Sequence, residues 1–181
     1  IPNEDVYDIT VSKNSNFFAN GTCVHNCGEI PLSANDSCRL LVINLFGFVV
    51  NPYTPEAYFD YEAFYRAAEI AQRLMDDIVD LEEECIVRII NKIKSDPETL
   101  DIKHRELALW EKMLVACQNG RRTGTGITAL GDSLAAIGVK YGSREGINAT
   151  EYIYKTLKFG CYSASVGMAE ALGAFPVWNS E

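Results

Sequence analysis

Three observations predict an α/β protein. Residues 38–50 (Cys-Arg-Leu-Leu-Val-Ile-Asn-Leu-Phe-Gly-Phe-Val-Val) form a nearly continuous apolar run that Asn51-Pro52 ends. Such a run fits a strand buried on both faces, as in a parallel sheet or barrel. Residues 58–94 then carry a helical stripe, with Phe64, Ala67, Ala71, Leu74, Ile78, Leu81 and Cys85 at alternating steps of three and four. Beyond it the pattern returns to a strand and then to helices, and this strand–helices–strand–helices order is that of an α/β fold.

The elements follow in turn. Residues 6–11 (Val-Tyr-Asp-Ile-Thr-Val) alternate and are rich in β-formers, so they read as a strand. Phe17-Phe18 starts a second strand, and Asn20-Gly21 is a hairpin signal leading into Thr22-Cys23-Val24. This small β unit has too few residues to bury a core of its own. Residues 27–36 read as a loop containing Gly28, Pro31, Asn35 and Asp36. The helix over 58–94 would be roughly 50 Å long at ~1.5 Å per residue, and Ser95-Asp96-Pro97 stops it. Residues 104–118 read as a second helix, the Gly- and Thr-rich 122–128 as a strand around Ile127, and Asp132–Val139 as a third helix. A last helix over 148–172 is expected to be capped by Asn148 and ended by Gly173.

Composition narrows the function classes. The 181 residues are 48% hydrophobic and 23% charged, which is ordinary for a globular domain. A net charge of −9 argues against nucleic-acid binding, which needs clustered Lys and Arg. No apolar run reaches the ~18 residues of a membrane span. Cys23, Cys27 and Cys38 cluster, while Cys85, Cys117 and Cys161 are scattered. That scatter fits reduced thiols in the cytoplasm rather than a disulfide framework. Cys85, Cys117 and Cys161 read as buried small apolar residues and His104 as a surface residue. A chain that opens on Ile-Pro-Asn and closes on Trp-Asn-Ser-Glu reads as a piece of a longer one.

Two resemblances meet at Cys27. Val6-Tyr-Asp-Ile-Thr-Val, Asn16-Phe-Phe, Asn20-Gly and Val24-His-Asn before Cys27 resemble the C-terminal blocks of inteins over residues 5–27. That resemblance makes Cys27 the acceptor nucleophile of protein splicing, since thiolate attacks a thioester readily. It makes Asn26 the residue that cyclises to break its own peptide bond, and His25 the acid that protonates the scissile amide. Ser15 stands where many inteins carry a histidine.

Read forward, Cys27-Gly-Glu-Ile-Pro-Leu and Asp36-Ser-Cys38-Arg-Leu resemble the active-site loop and following strand of ribonucleotide reductase large subunits. Asn119-Gly-Arg-Arg-Thr-Gly-Thr-Gly-Ile-Thr-Ala-Leu-Gly-Asp, Tyr141-Gly-Ser and the segment Ser165 to Pro176 extend the resemblance over residues 27–181. The run Arg73-Leu-Met-Asp-Asp-Ile-Val-Asp-Leu-Glu looks most like the adenosylcobalamin-dependent class. The resemblance implies part of a ten-stranded α/β barrel, with residues 1–26 an intein segment removed by splicing and 27–181 a fragment of the catalytic barrel domain. It implies thiyl-radical reduction of ribonucleoside diphosphates or triphosphates to deoxyribonucleotides for DNA synthesis, with this fragment inactive alone. Cys27 would carry the radical that takes the 3′ hydrogen. Glu29 would be the general base for the 3′ hydroxyl, because residues i and i+2 of an extended loop share a side. Cys38 would be one of the two thiols that close to a disulfide, its partner lying upstream. The cofactor implied is adenosylcobalamin, with cobalt only inside it and no other metal. The partners implied are a thioredoxin-like or glutaredoxin-like reductant and a homodimer mate. The family places Asn two residues before the radical cysteine, where this chain has His25. Splicing would replace that flank, and an upstream segment ending in Asn-Pro is expected.

Other readings remain beside this one. The chain could act only as a splicing element with inert flanking sequence, or as a non-catalytic acidic helical interaction module. Cys23, His25, Cys27 and Cys38 match no common zinc spacing. Asp76, Asp77, Asp80 and Glu82–Glu84 read as a solvated helix face. Gly124 and Gly126 lack a phosphate-loop ending and read as sites of tight backbone packing.

Overall fold

The computed structural model describes the backbone of residues 16–19 and 22–25, and residues 32–178 in full. The chain divides into two units, Ile1–Ser33 and Ala34–Glu181. In the first, β1 (Asn16–Ala19) pairs antiparallel with β2 (Thr22–His25), in register from Asn16↔His25 to Ala19↔Thr22. This is the hairpin that Asn20-Gly21 predicts. The strand expected over residues 6–11 lies outside the described residues.

The second unit is built on a parallel pair. β3 (Arg39–Asn44) runs beside β6 (Thr123–Thr128), with Arg39↔Thr123, Leu41↔Thr125 and Ile43↔Ile127 in register. The apolar run 38–50 is therefore not one strand. Asn44 breaks it by accepting from the Phe46 N–H at 3.1 Å, which starts a 3-10 turn over Leu45–Phe48. β4 (Val49–Val50) then pairs antiparallel with β5 (Tyr58–Phe59). Neither is β3 buried on both faces, since Leu40 and Val42 are 55% and 59% exposed. The α/β class holds, but the described residues form no closed barrel; their parallel sheet has two strands.

The long helix is continuous. α1 spans Tyr61–Ser95, opened by Asp60, whose carboxylate accepts from the Ala63 N–H at 2.9 Å. Its buried stripe is Phe64, Ala68, Ala71, Met75, Val79, Ile86, Ile90 and Ile93. The predicted stripe shared only Phe64 and Ala71 with it, and Leu74, Leu81 and Cys85 are exposed. Two apolar rows run along this helix, and the interruption of the buried row by Glu82 hid it from periodicity. α2 (Leu100–Gly120) packs on the far half of α1, where Val79, Ile86, Ile90 and Cys117 form one core with Leu107, Trp110 and Leu114.

The near half of α1 packs on α4 (Arg144–Leu172), with the shorter α3 (Leu130–Ala136) between β6 and α4 in sequence. Leu45, Phe59, Phe64, Ala68, Ile153, Leu157 and Cys161 form this core. Phe64 meets Phe48 and Phe59 at ring separations of 5.2 and 5.6 Å, edge to face. α1 and α4 approach closely at Gly160, where a Cβ would lie 2.8 Å from the Ala68 Cβ. The cap of α4 is Ser143, whose hydroxyl accepts from the Gly146 N–H at 3.1 Å, rather than Asn148. The helix thus begins a turn earlier than expected and ends at Gly173 as predicted.

Candidate functional site

The described part of the candidate site lies at the entry of β3. Alternation along this strand sorts its side chains by face. Arg39, Leu41 and Ile43, with Thr123, Thr125 and Ile127 opposite, lie on the side that α1 covers. Leu40, Val42 and Asn44, with Gly124, Gly126 and Thr128 opposite, lie on the other side, which is open among the described residues. A Cβ on Gly126 would meet nothing within 4 Å, so tight packing within these residues does not explain that glycine. Gly124 and Gly126, paired with Leu40 and Val42, add no side chain of their own to this face. Cys38 immediately precedes the strand. It is half-buried and a free thiol.

Behind this face lies a polar cluster. Arg39 is 7% exposed, and a guanidinium so placed needs partners to offset its lost hydration. It has them on two helices and on the residues that lead into β3 and β6. Its Nε donates to the Glu82 carboxylate of α1. Its Nη1 donates to the Ser37 carbonyl at 3.0 Å and the Arg122 carbonyl at 3.3 Å, and its Nη2 to Cys117 Sγ of α2 at 3.0 Å. The other oxygen of Glu82 accepts from the Ser37 hydroxyl at 3.0 Å. Asp36, with its side chain 2% exposed, accepts from Arg122 Nε at 2.7 Å and from the Ser37 N–H at 2.8 Å. A Cβ on Gly120 would stand 3.3 Å from the Asp36 carboxylate, so the small residue leaves room for that pair.

Arg121 completes the cluster from the end of α2. It sits in the left-handed region at φ 42, and its N–H caps the helix by donating to the Cys117 carbonyl. Its guanidinium reaches Asp76 and Asp80 of α1, both at 2.8 Å. The hydrogen bonds that Arg121 donates to Asp76 and then to Asp80 raise its pKa further, outweighing desolvation, so it stays charged. Burial pushes the Cys117 thiol up, Glu82 and Glu83 add to this, and Arg39 and Arg121 oppose it. Cys117 is therefore a neutral acceptor in this cluster.

These contacts correct the reading of the acidic run. Asp76 and Glu82 pair with arginines and are largely shielded, and Glu83 accepts from Gln118 at 2.5 Å, whereas Asp80 and Glu84 are exposed, so the run is a solvated face only in part. Cys85 is exposed, while Cys117 and Cys161 are buried as expected, and His104 is on the surface.

Of the five residues read as functional, Cys38 lies among those described in full. His25 is the last residue of β2, opposite Asn16, and is described in backbone alone. Asn26, Cys27 and Glu29 lie outside the described residues. Sequence reasoning missed Asp36, Arg39, Glu82 and Arg122. The available signal was Arg39 itself, a charge inside an apolar run, which needs a buried partner.

Among the described residues no group of three or more His, Cys, Asp and Glu could hold a metal ion. No described helix is long and apolar enough to cross a membrane. An apolar groove of about 580 Å³ lies between α1 and α4, lined by Tyr65, Phe159, Tyr162, Val166 and Glu170 among others. Much of that lining is exposed surface, which does not suit a corrin-sized cofactor.

A parallel strand pair backed by helices, with a thiol just before the first strand, defines an α/β domain. The profile of the ribonucleotide reductase barrel domain matches residues 8–181, and the chain belongs to that family. It is similar to proteins named vitamin B12-dependent ribonucleoside-diphosphate reductase from two strains of Mycobacterium tuberculosis, at 26% identity over 153 residues. A protein of the same name from Thermoplasma acidophilum is 26% identical over 152 residues. Each alignment covers 84% of this chain, but only 18% of the mycobacterial and 16% of the Thermoplasma protein.

Proposed function

We propose that the complete protein reduces ribonucleoside diphosphates to deoxyribonucleotides by thiyl-radical chemistry, and that its precursor first splices at the Asn26–Cys27 bond. The observation that carries the reductase reading is the family match over residues 8–181, a span that includes Cys27-Gly-Glu29 and Asp36-Ser-Cys38, the residues that resemble the family's active-site loop and following strand. The names of the relatives support vitamin B12 as the source of the initiating radical.

The steps belong to this chain's residues. A thiyl radical on Cys27 takes the 3′ hydrogen of the ribose. Glu29 accepts the 3′ hydroxyl proton, which promotes loss of the 2′ hydroxyl as water. Cys38 and a second cysteine thiol each give one electron and one proton and close to a disulfide. The 3′ hydrogen returns and leaves Cys27 a radical again. In sum, a ribonucleotide and two thiols give a deoxyribonucleotide, a disulfide and water. A dithiol protein of the thioredoxin or glutaredoxin kind then reopens the disulfide.

The splicing reading rests on the residues from Val6 to Cys27 and is supported by the β1–β2 hairpin, which ends at His25. The family profile begins at residue 8, inside the segment that this reading removes. The two assignments of residues 8–26 differ in the mature protein, so they can be separated by mass.

The test is the complete protein, purified and supplied with ribonucleoside diphosphates, adenosylcobalamin and a dithiol reductant. Deoxyribonucleotide with one disulfide formed per turnover is expected. Intact protein that makes no deoxyribonucleotide under these conditions would overturn the reading.

A further inference from the structure

We infer that Arg39 is a positioning residue for Cys38, acting through the buried cluster that pins residues 36–38 at the mouth of β3. The inference rests on the proposed redox role of Cys38. Cys38 and Arg39 are adjacent at the mouth of the sheet; strand alternation carried one residue back from β3 sets the thiol on the face away from the guanidinium, which is directed into the helix layer. A thiol that must meet a second thiol and a sugar carbon needs a fixed origin. A loop before a strand supplies one only if it is tied down.

The ties are unusually complete for three residues. Asp36 is held by Arg122 and by the Ser37 N–H, and the Ser37 hydroxyl by Glu82. The Ser37 carbonyl is held by Arg39, which is itself locked by Glu82 and Cys117. Glu82 thus holds both the residue before Cys38 and the residue after it. The anchoring groups come from α1, α2 and Arg122 just before β6, so the position of Cys38 is set by the layer behind it. None of these groups needs to touch the substrate. A planar five-donor fork suits this cluster, and a lysine would satisfy fewer of its acceptors.

The experiment uses the complete, spliced reductase with the variants Arg39→Lys, Arg39→Met, Glu82→Gln and Cys38→Ser. Two rates are read in the same sample. One is release of tritium from 3′-labelled substrate into water, which reports hydrogen abstraction by Cys27. The other is deoxyribonucleotide formation, which also needs Cys38. Their ratio does not depend on how much of a variant is folded. Glu82→Gln and Arg39→Met are expected to lower product about tenfold while tritium release stays within about twofold. Arg39→Lys should recover part of the loss. Equal falls in both rates, or no fall in either, would overturn the positioning role. Should Arg39→Met fail to fold, the ratios for Arg39→Lys and Glu82→Gln decide. Cys38→Ser separates the two layers of the argument. If it makes product at the normal rate, the redox assignment fails and the inference falls with it. If it releases tritium without product and the clamp variants keep a normal ratio, only the positioning role fails.

Discussion

Arg39 at the start of β3 and Glu82 in the middle of α1 form an ion pair, with side chains 6% and 29% exposed. It joins two elements 43 residues apart in sequence and anchors both residues that flank Cys38. Breaking such a pair leaves a charge poorly solvated, and that cost exceeds the net worth of the pair itself. Arg39→Met should destabilise the α1–β3 contact by about 3 kcal/mol, the low end of the buried-pair range because Glu82 is partly hydrated. Hydrogen exchange of α1 amides measures it, and an unchanged opening free energy would show the pair to be incidental.

Gly160 makes the closest approach of α4 to α1. A methyl there would lie 2.8 Å from the Ala68 Cβ and 2.9 Å from the Tyr65 carbonyl oxygen, in a region where backbone cannot yield cheaply. Gly160→Ala should cost about 1–3 kcal/mol despite the better helix propensity of alanine. Gly126→Ala, with nothing within 4 Å of its Cβ, should change stability by less than about 0.5 kcal/mol. The melting temperatures of the two variants make the comparison, and equal shifts would contradict it.

Stability should fall on the alkaline side. Burial raises the Cys117 and Cys161 thiols above their ordinary value of 9.0, and burial with Tyr152 nearby raises Tyr61 above 10.0. In each case the native state keeps its proton after the unfolded chain has lost it. The contribution is therefore full below pH 9, where the unfolded thiols are neutral, and is lost as pH rises through the native values. Thermal scans at stepped pH should show this decline, with a shallower slope for Cys161→Ala. An identical slope in the variant would remove the thiol from the explanation.

The sequence made the hairpin, the parallel strands and the helix order legible because each has a local cause, such as Asn20-Gly21, the apolar run or Gly173. It concealed the buried face of α1, since two apolar rows compete there and Glu82 interrupts the true one. That choice is made by Arg39, Ser37 and the packing of α2, all distant in sequence. The break at Asn44 was likewise hidden from hydropathy, because one asparagine in an apolar run does not reveal that its side chain will cap a 3-10 turn. Of the candidate site, Cys38 was legible from its motif. The cluster behind it was not, because its acids looked like an ordinary solvated helix face.

Splicing makes its own prediction. Asn26→Ala removes the amide that would cyclise, so the unspliced precursor should accumulate at its full mass. Peptide mapping of the unmutated mature protein should find Cys27-Gly-Glu joined to a new upstream flank. A mature protein that still reads Val-His-Asn-Cys-Gly-Glu would rule splicing out.

Cys27→Ser in the precursor tests both proposed roles of this residue in one preparation. Serine can still accept the upstream chain, though more slowly, but it cannot carry a thiyl radical. Spliced protein that forms slowly and yields no deoxyribonucleotide is the predicted result. Deoxyribonucleotide formation by the serine variant would contradict the radical assignment outright.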